Sequence, residues 1–261
     1  MSDDDAETRS ARSPGAEATA GPTWRPVSRA NTYELVIDAI EEQIVAGSLT
    51  VGYPLPAERD LASKLGVSRA SVREALRVLE SLGVVRSSGG SGRGAGTFIA
   101  AMPSAALTRF LRLHVALTNF SLSDVTETRI QLERSSAVLA AARAGEDALA
   151  AINAQLAMMD TPGISLEVFN DADTAFHVAI AQAAGNQLFS DLTGAIRTSL
   201  RTSIFAAFNR IEDQQGLMSE LQAQHRAIMA AIVAGDTEEA ARLTEEHIRF
   251  AASELPGLSD D

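Results

Sequence analysis

The stretch LPAERDLASKLGVSRASVREALRVLESLGVV, residues 55–85, decides the fold of the first part of this 261-residue chain. Pro56 stands beside the start of a helix over 57–65, where a fixed backbone angle and a missing N–H do no harm. Gly66 breaks that helix, Ser68 is placed to cap the next one over 69–82, and Gly83 ends it. Ala62, Gly66 and Val72 supply what a helix-turn-helix needs: a small residue where two helices touch, a glycine in the turn, and a branched apolar anchor on the second helix. Leu61, Leu65, Val67, Leu76 and Leu79, with Ala75, complete the buried set. Arg69, Arg73 and Arg77 then climb one flank at i, i+4 and i+8, with Ser68 and Ser71 at its exposed start. A helix built this way can lie in a DNA major groove, where the arginine fork bonds guanine edges or grips a phosphate. The competing reading is a solvated face of arginine–glutamate pairs, since Glu74 and Glu80 lie nearby.

Outward from that stretch, a helix over 31–46 precedes it, with Leu35, Val36, Ala39, Ile40, Ile44 and Val45 at helical spacing. VVRSSGGSGRGAGTFIA, residues 84–100, follows as a hairpin: strands near 84–86 and 97–100 around a glycine-rich tip. Three helices and a hairpin in this order make a winged helix. Residues 1–28 are polar and aperiodic and are expected to be disordered. Their acidic start is no secretory signal, and no apolar run is long enough to cross a membrane, so a soluble cytoplasmic protein is expected. The absence of cysteine excludes disulfides and thiolate metal sites.

The net charge of −12 is unevenly spread: −3 over 1–24, +1 over 25–100 and −10 over 101–261, while 59–93 alone carry +4. A locally basic module joined to an acidic one points to nucleic acid for the basic part. From about residue 104 every segment reads as helix, over 104–118, 122–144, 146–159, 166–184, 187–208, 214–234 and 236–254, with Asn186 placed as a cap after Gly185. The fold class expected is therefore mainly α: a winged helix-turn-helix over 29–101, an all-α helical bundle over 102–255 and a short tail over 256–261.

Four histidines occur: His114, His177, His225 and His247. Asp173 and His177 are i and i+4, on one helix face, and imidazoles from two other helices would complete an Asp/His3 set suited to Zn, Ni, Mn or a related divalent ion. A lone Asp–His pair on a helix is also a common structural or surface pair. His114 reads as an ordinary helical residue.

Residues 55–85, with GAGTFIA at 94–100, closely resemble the DNA-binding domain of the GntR superfamily of bacterial transcription regulators. The resemblance implies DNA contacts from Arg59, Ser68, Arg69, Ser71 and Arg73. The wing, SSGGSGRGAG, is longer than the family's usual short form, and its Arg93 is a further candidate for a minor-groove contact. TRIQLERSSAVLAAARA (128–144), DTAFHVAIAQAAGN (173–186), QHRAIMAAIVAGD (224–236) and EEHIRF (245–250) together resemble the FCD effector domain of the FadR subfamily. That resemblance implies metal ligation by Asp173, His177, His225 and His247. It also implies that Arg129 receives the carboxylate of a small organic-acid effector, although an Arg129–Glu133 pair could simply stabilise its helix.

The function expected is a homodimeric DNA-binding regulator, a repressor by the commoner family pattern, that reads a palindromic operator and is controlled by a small carboxylate bound beside a divalent metal. Two alternatives are a metal-dependent hydrolase or isomerase using the Asp/His3 site, and a regulator that senses the metal itself. Against the enzyme, no motif supplies a separate general base beside a metal-binding histidine.

Overall fold

The computed structural model describes residues 32–89, 96–100, 103–117 and 119–255. The expected tails over 1–28 and 256–261, and the wing tip with Arg93, lie outside them. Among the described residues the chain forms ten helices and one two-stranded sheet.

The winged part comprises α1 (Thr32–Val45), α2 (Glu58–Leu65), α3 (Arg69–Ser81), β1 (Val85–Ser88) and β2 (Gly96–Ile99). Its core joins Val36 and Ile40 of α1, Leu61 and Ala62 of α2, Val72, Ala75, Leu76 and Leu79 of α3, and Val85 and Ile99 of the strands. Gly66 takes φ +67° at the end of α2, a left-handed conformation that glycine adopts without penalty. Ser68 caps α3 as expected, its Oγ accepting from the Ser71 backbone N–H at 3.0 Å. The strands pair antiparallel, with Val85 opposite Ile99 and Ser88 opposite Gly96.

The segment before α2, read from its prolines as a turn, does more than turn. Leu55 N–H donates to Thr97 O at 2.8 Å and Ile99 N–H to Tyr53 O at 2.9 Å, so Tyr53–Leu55 lines the free edge of β2. Pro54 fits there because the two bonds come from its neighbours, and an edge strand tolerates a residue with no N–H.

The second part is all helical: α4 (Pro103–Ala116), α5 (Leu122–Arg143), α6 (Glu146–Met159), α7 (Leu166–Ala183), α8 (Gln187–Phe208), α9 (Gln214–Ala234) and α10 (Thr237–Glu254). Side chains mark most of the starts. Ser121, Ser165, Asn186, Asp213 and Asp236 accept backbone N–H bonds at the N-termini of α5, α7, α8, α9 and α10. Helix α5 packs on α10, α7, α8 and α9, and α7 packs on α5, α6 and α8. The buried charged and imidazole side chains of their shared interior gather at one place, to which α5, α7, α8, α9 and α10 each contribute.

Candidate metal centre and nucleic-acid interface

On α3 the sequence-expected DNA residues gather at one end. Ser68, Arg69 and Arg73 are exposed, Ser71 is half-buried, and the Ser68 and Ser71 hydroxyls lie 2.8 Å apart. Arg73 reaches back to α2 and grips Glu58, with Nη2 to Oε2 at 2.8 Å, which holds the Glu58 carboxyl below its ordinary range. Arg77 lies 3.7 Å from Glu74, and Arg59 contacts its neighbour Asp60. No salt bridge holds Arg69 among the described residues. The arginine–glutamate reading is thus part of the answer: two of the three flank arginines are paired with acids, and the first is left for a partner. Glu80 instead accepts from the Ser87 backbone N–H at 2.9 Å and ties β1 to α3.

In the helical part, Asp173 and His177 project from α7 into the bundle, one turn apart. His225 comes from α9 and His247 from α10, and each of the four offers a ligand atom within 4.8 Å of the others. His225 Nε2 lies 3.0 Å from Asp173 Oδ1 and 3.3 Å from His177 Nε2. The three imidazoles are buried.

Beneath this set lies a second layer that the sequence reading missed. Glu133 of α5 is buried, and its Oε2 sits 2.8 Å from His177 Nδ1. Arg197 of α8, only 2% exposed, grips Glu133 with Nη2 at 2.7 Å and Nε at 3.0 Å, and reaches Asp173 Oδ2 with Nη1 at 2.9 Å. Arg129 donates Nε–H to Glu133 Oε1 at 3.2 Å. The sequence alone points to Glu133 only as a helix-stabilising partner of Arg129, and does not single out Arg197. A signal for Arg197 did exist. It lies in phase with Thr193, Leu200 and Ile204, the buried stripe of α8, whereas Arg201 falls outside it.

The protonation states of these groups suit metal ligation. Burial alone would raise the Asp173 and Glu133 carboxyls, but the Arg197 guanidinium offsets it and both stay well below the ordinary range, as anions. Burial depresses His177 to about 4 and, with the neighbouring imidazoles, holds His247 well below its ordinary value. Both are therefore neutral at physiological pH, the state that binds metal. With Nδ1–H donated to Glu133, His177 keeps its lone pair on Nε2. His247 Nδ1, 3.0 Å from Gln224 Oε1, is fixed in the same way. His225 Nδ1 is buried with no hydrogen-bond partner, so one of its nitrogens is unmatched in either tautomer. Two donors bound to a tetrahedral Zn ion at about 2.0–2.1 Å stand about 3.4 Å apart, and His225 Nε2, His177 Nε2 and Asp173 Oδ1 lie 3.0–3.8 Å from one another, so this cluster of lone pairs and one carboxylate fits a divalent ion. Beside it a narrow cavity of about 30 Å³ is lined at its polar end by Arg129, Asp173, Arg197 and His247. His114 is elsewhere, on α4 between the rings of Phe110 and Phe120.

Comparisons with known proteins agree with this division. Residues 32–95 match the bacterial regulatory proteins of the gntR family, and residues 124–250 match the FCD domain. The chain is 33% identical over 230 residues to the candidate L-lactate dehydrogenase operon regulatory protein of Escherichia coli strain K12, covering 87% of each. It is 31% identical to the Glc operon transcriptional activator of the same strain, over 85% of this chain and 88% of that one. Among solved structures, Streptococcus agalactiae GntR superposes with a TM-score of 0.59 at 26% identity, covering 84% of this chain and 98% of that chain. The hydrolase or isomerase alternative is set aside, since these relatives are named as operon regulators. A winged DNA-binding unit joined to a helical domain with a buried ligand cluster, together with these likenesses, makes the chain a transcription regulator that belongs to the GntR family and carries an FCD domain.

Proposed function

We propose that the helical domain binds a small organic acid beside a divalent metal, and that this binding sets the affinity of a homodimer for a palindromic operator. The observation that carries the reading is the convergence of Asp173, His177, His225 and His247 beside one cavity that Asp173, His247 and two buried arginines line. Asp173, His177, His225 and His247 would hold the ion, with Zn, Ni and Mn all compatible with the donor set. The ion would supply a cationic seat for a carboxylate. The chain's own charges support the need for an anion there. Asp173 and Glu133 balance Arg129 and Arg197, His177 and His247 are neutral, and a divalent ion would add two positive charges to the buried site. Arg129, which lines the cavity and has only one hydrogen bond to Glu133, is the residue we assign to the effector's carboxylate.

At the DNA end, Arg59, Ser68, Arg69, Ser71, Arg73 and, beyond the described residues, Arg93 are assigned to the operator. Two such heads related by a two-fold axis read a two-fold-symmetric site. We propose a repressor released by its effector. Relatives named as the galactonate operon repressor of Escherichia coli and the repressor NanR of Cronobacter sakazakii favour this, while the Glc relative is named an activator.

The test is a thermal-shift screen of organic acids with and without a chelator, combined with operator-binding assays. An acid that raises the melting temperature only when metal is present, and weakens operator binding, supports the reading. If re-adding metal alone switches operator binding, the ion itself is the signal. If His225→Ala keeps full metal occupancy, the four-ligand set is wrong.

A further inference from the structure

The cavity beside the ligand cluster is two-faced. Its ionic and imidazole lining, Arg129, Asp173, Arg197 and His247, stands at one end. Away from that end its walls are Phe169, Leu200, Ile204, Phe208, Leu221 and Leu255, all less than a tenth exposed. Apart from these, the hydrogen-bonding side chains in the lining are Thr126 and Asn170, and the Asn170 amide already donates to the Arg201 carbonyl at 3.2 Å. A ligand hydroxyl pointing into the walls therefore leaves water for a surface that cannot replace its hydrogen bonds. A methylene in the same place gains from leaving water.

Resting on the acid-effector reading above, we infer that the effector is a short monocarboxylate with a hydrocarbon tail rather than a polyhydroxylated sugar acid. The carboxylate meets the charged end, and the tail lies along Phe169, Leu200, Ile204, Phe208, Leu221 and Leu255. The cavity has room for about two water molecules. The tail is therefore short, and longer homologues enter only if neighbouring side chains give way.

Isothermal titration calorimetry of the zinc-loaded full chain tests this with two sets of probes. Across acetate, propanoate and butanoate, affinity should rise by about fourfold per methylene. Butanoate should bind at least about tenfold more tightly than threonate, its trihydroxylated counterpart of equal chain length. Threonate binding as tightly as butanoate, or a flat series, overturns the inference and leaves the acid-effector reading standing. If none of these acids binds, the acid-effector reading itself falls, and this inference with it. Leu255→Asn, at the end of α10, should shrink the gain per methylene, with circular dichroism confirming the fold. An undiminished gain in that variant would refute the placement of the tail.

Discussion

At Glu133 three buried groups meet one carboxylate: the His177 imidazole, the Arg197 fork and the Arg129 guanidinium. The side chain fixes the tautomer of a histidine in the Asp/His cluster and neutralises an arginine that also holds Asp173. Glu133→Gln keeps the shape and removes the charge. It leaves Arg129 and Arg197 with only Asp173 as an anionic neighbour. We expect a stability loss of about 3 kcal/mol, as for a buried charge stripped of its partner, and a fall of about tenfold or more in metal affinity through His177. Calorimetric melting and metal titration measure the two, and wild-type metal affinity in the variant would refute the orienting role. On the DNA side the comparable residue is Arg69, which no acid among the described residues holds in a salt bridge. Arg69→Ala should weaken operator binding with no change in melting temperature, as read by a binding assay beside a thermal scan. Unchanged binding would remove Arg69 from the interface.

Among the elements, α3 does two jobs with one residue at its start. Ser68 caps the helix and, as we assign it, faces DNA. The two roles separate in Ser68→Asp, because aspartate caps as well as serine but brings a negative charge to a phosphate-facing position. Helix stability should hold while operator affinity drops by about tenfold or more; Ser68→Ala should instead cost about 1 kcal/mol of stability. If Ser68→Asp binds operator like wild type, Ser68 serves the helix alone. The same helix shows what could be read from sequence. Its span, cap and buried face were legible because periodicity, serine and glycine are local signals, and the four residues of the Asp/His cluster were legible through an i, i+4 pair and a family resemblance. Tyr53–Leu55 was not, because its pairing with β2 is made by partners over forty residues away. Nor was Arg197, whose partners lie 24 and 64 residues away in sequence. No local pattern states that an arginine on an apolar stripe will find two carboxylates.

For the whole molecule, the two apolar clusters share no residue: one belongs to α1–α3 and the hairpin, the other to the helical bundle. The ligand cluster lies wholly within the second, tying α7, α9 and α10 together. A ligand that binds only the folded state stabilises it by RT ln(1 + [L]/Kd), about 2.7 kcal/mol at a hundredfold excess over Kd. Removing metal should therefore act on one domain. In differential scanning calorimetry, a chelator should lower the melting transition of the helical domain by several degrees and leave that of the winged domain in place, and added Zn should restore it. The acidic bundle, with −10 of the chain's charge, should remain off DNA throughout, so operator affinity in the stripped protein should keep the salt slope of the loaded one. A chelator that shifts both transitions equally would show that the two cores melt as one unit. A chelator that shifts neither would show that the Asp173–His247 cluster holds no ion that matters to the fold.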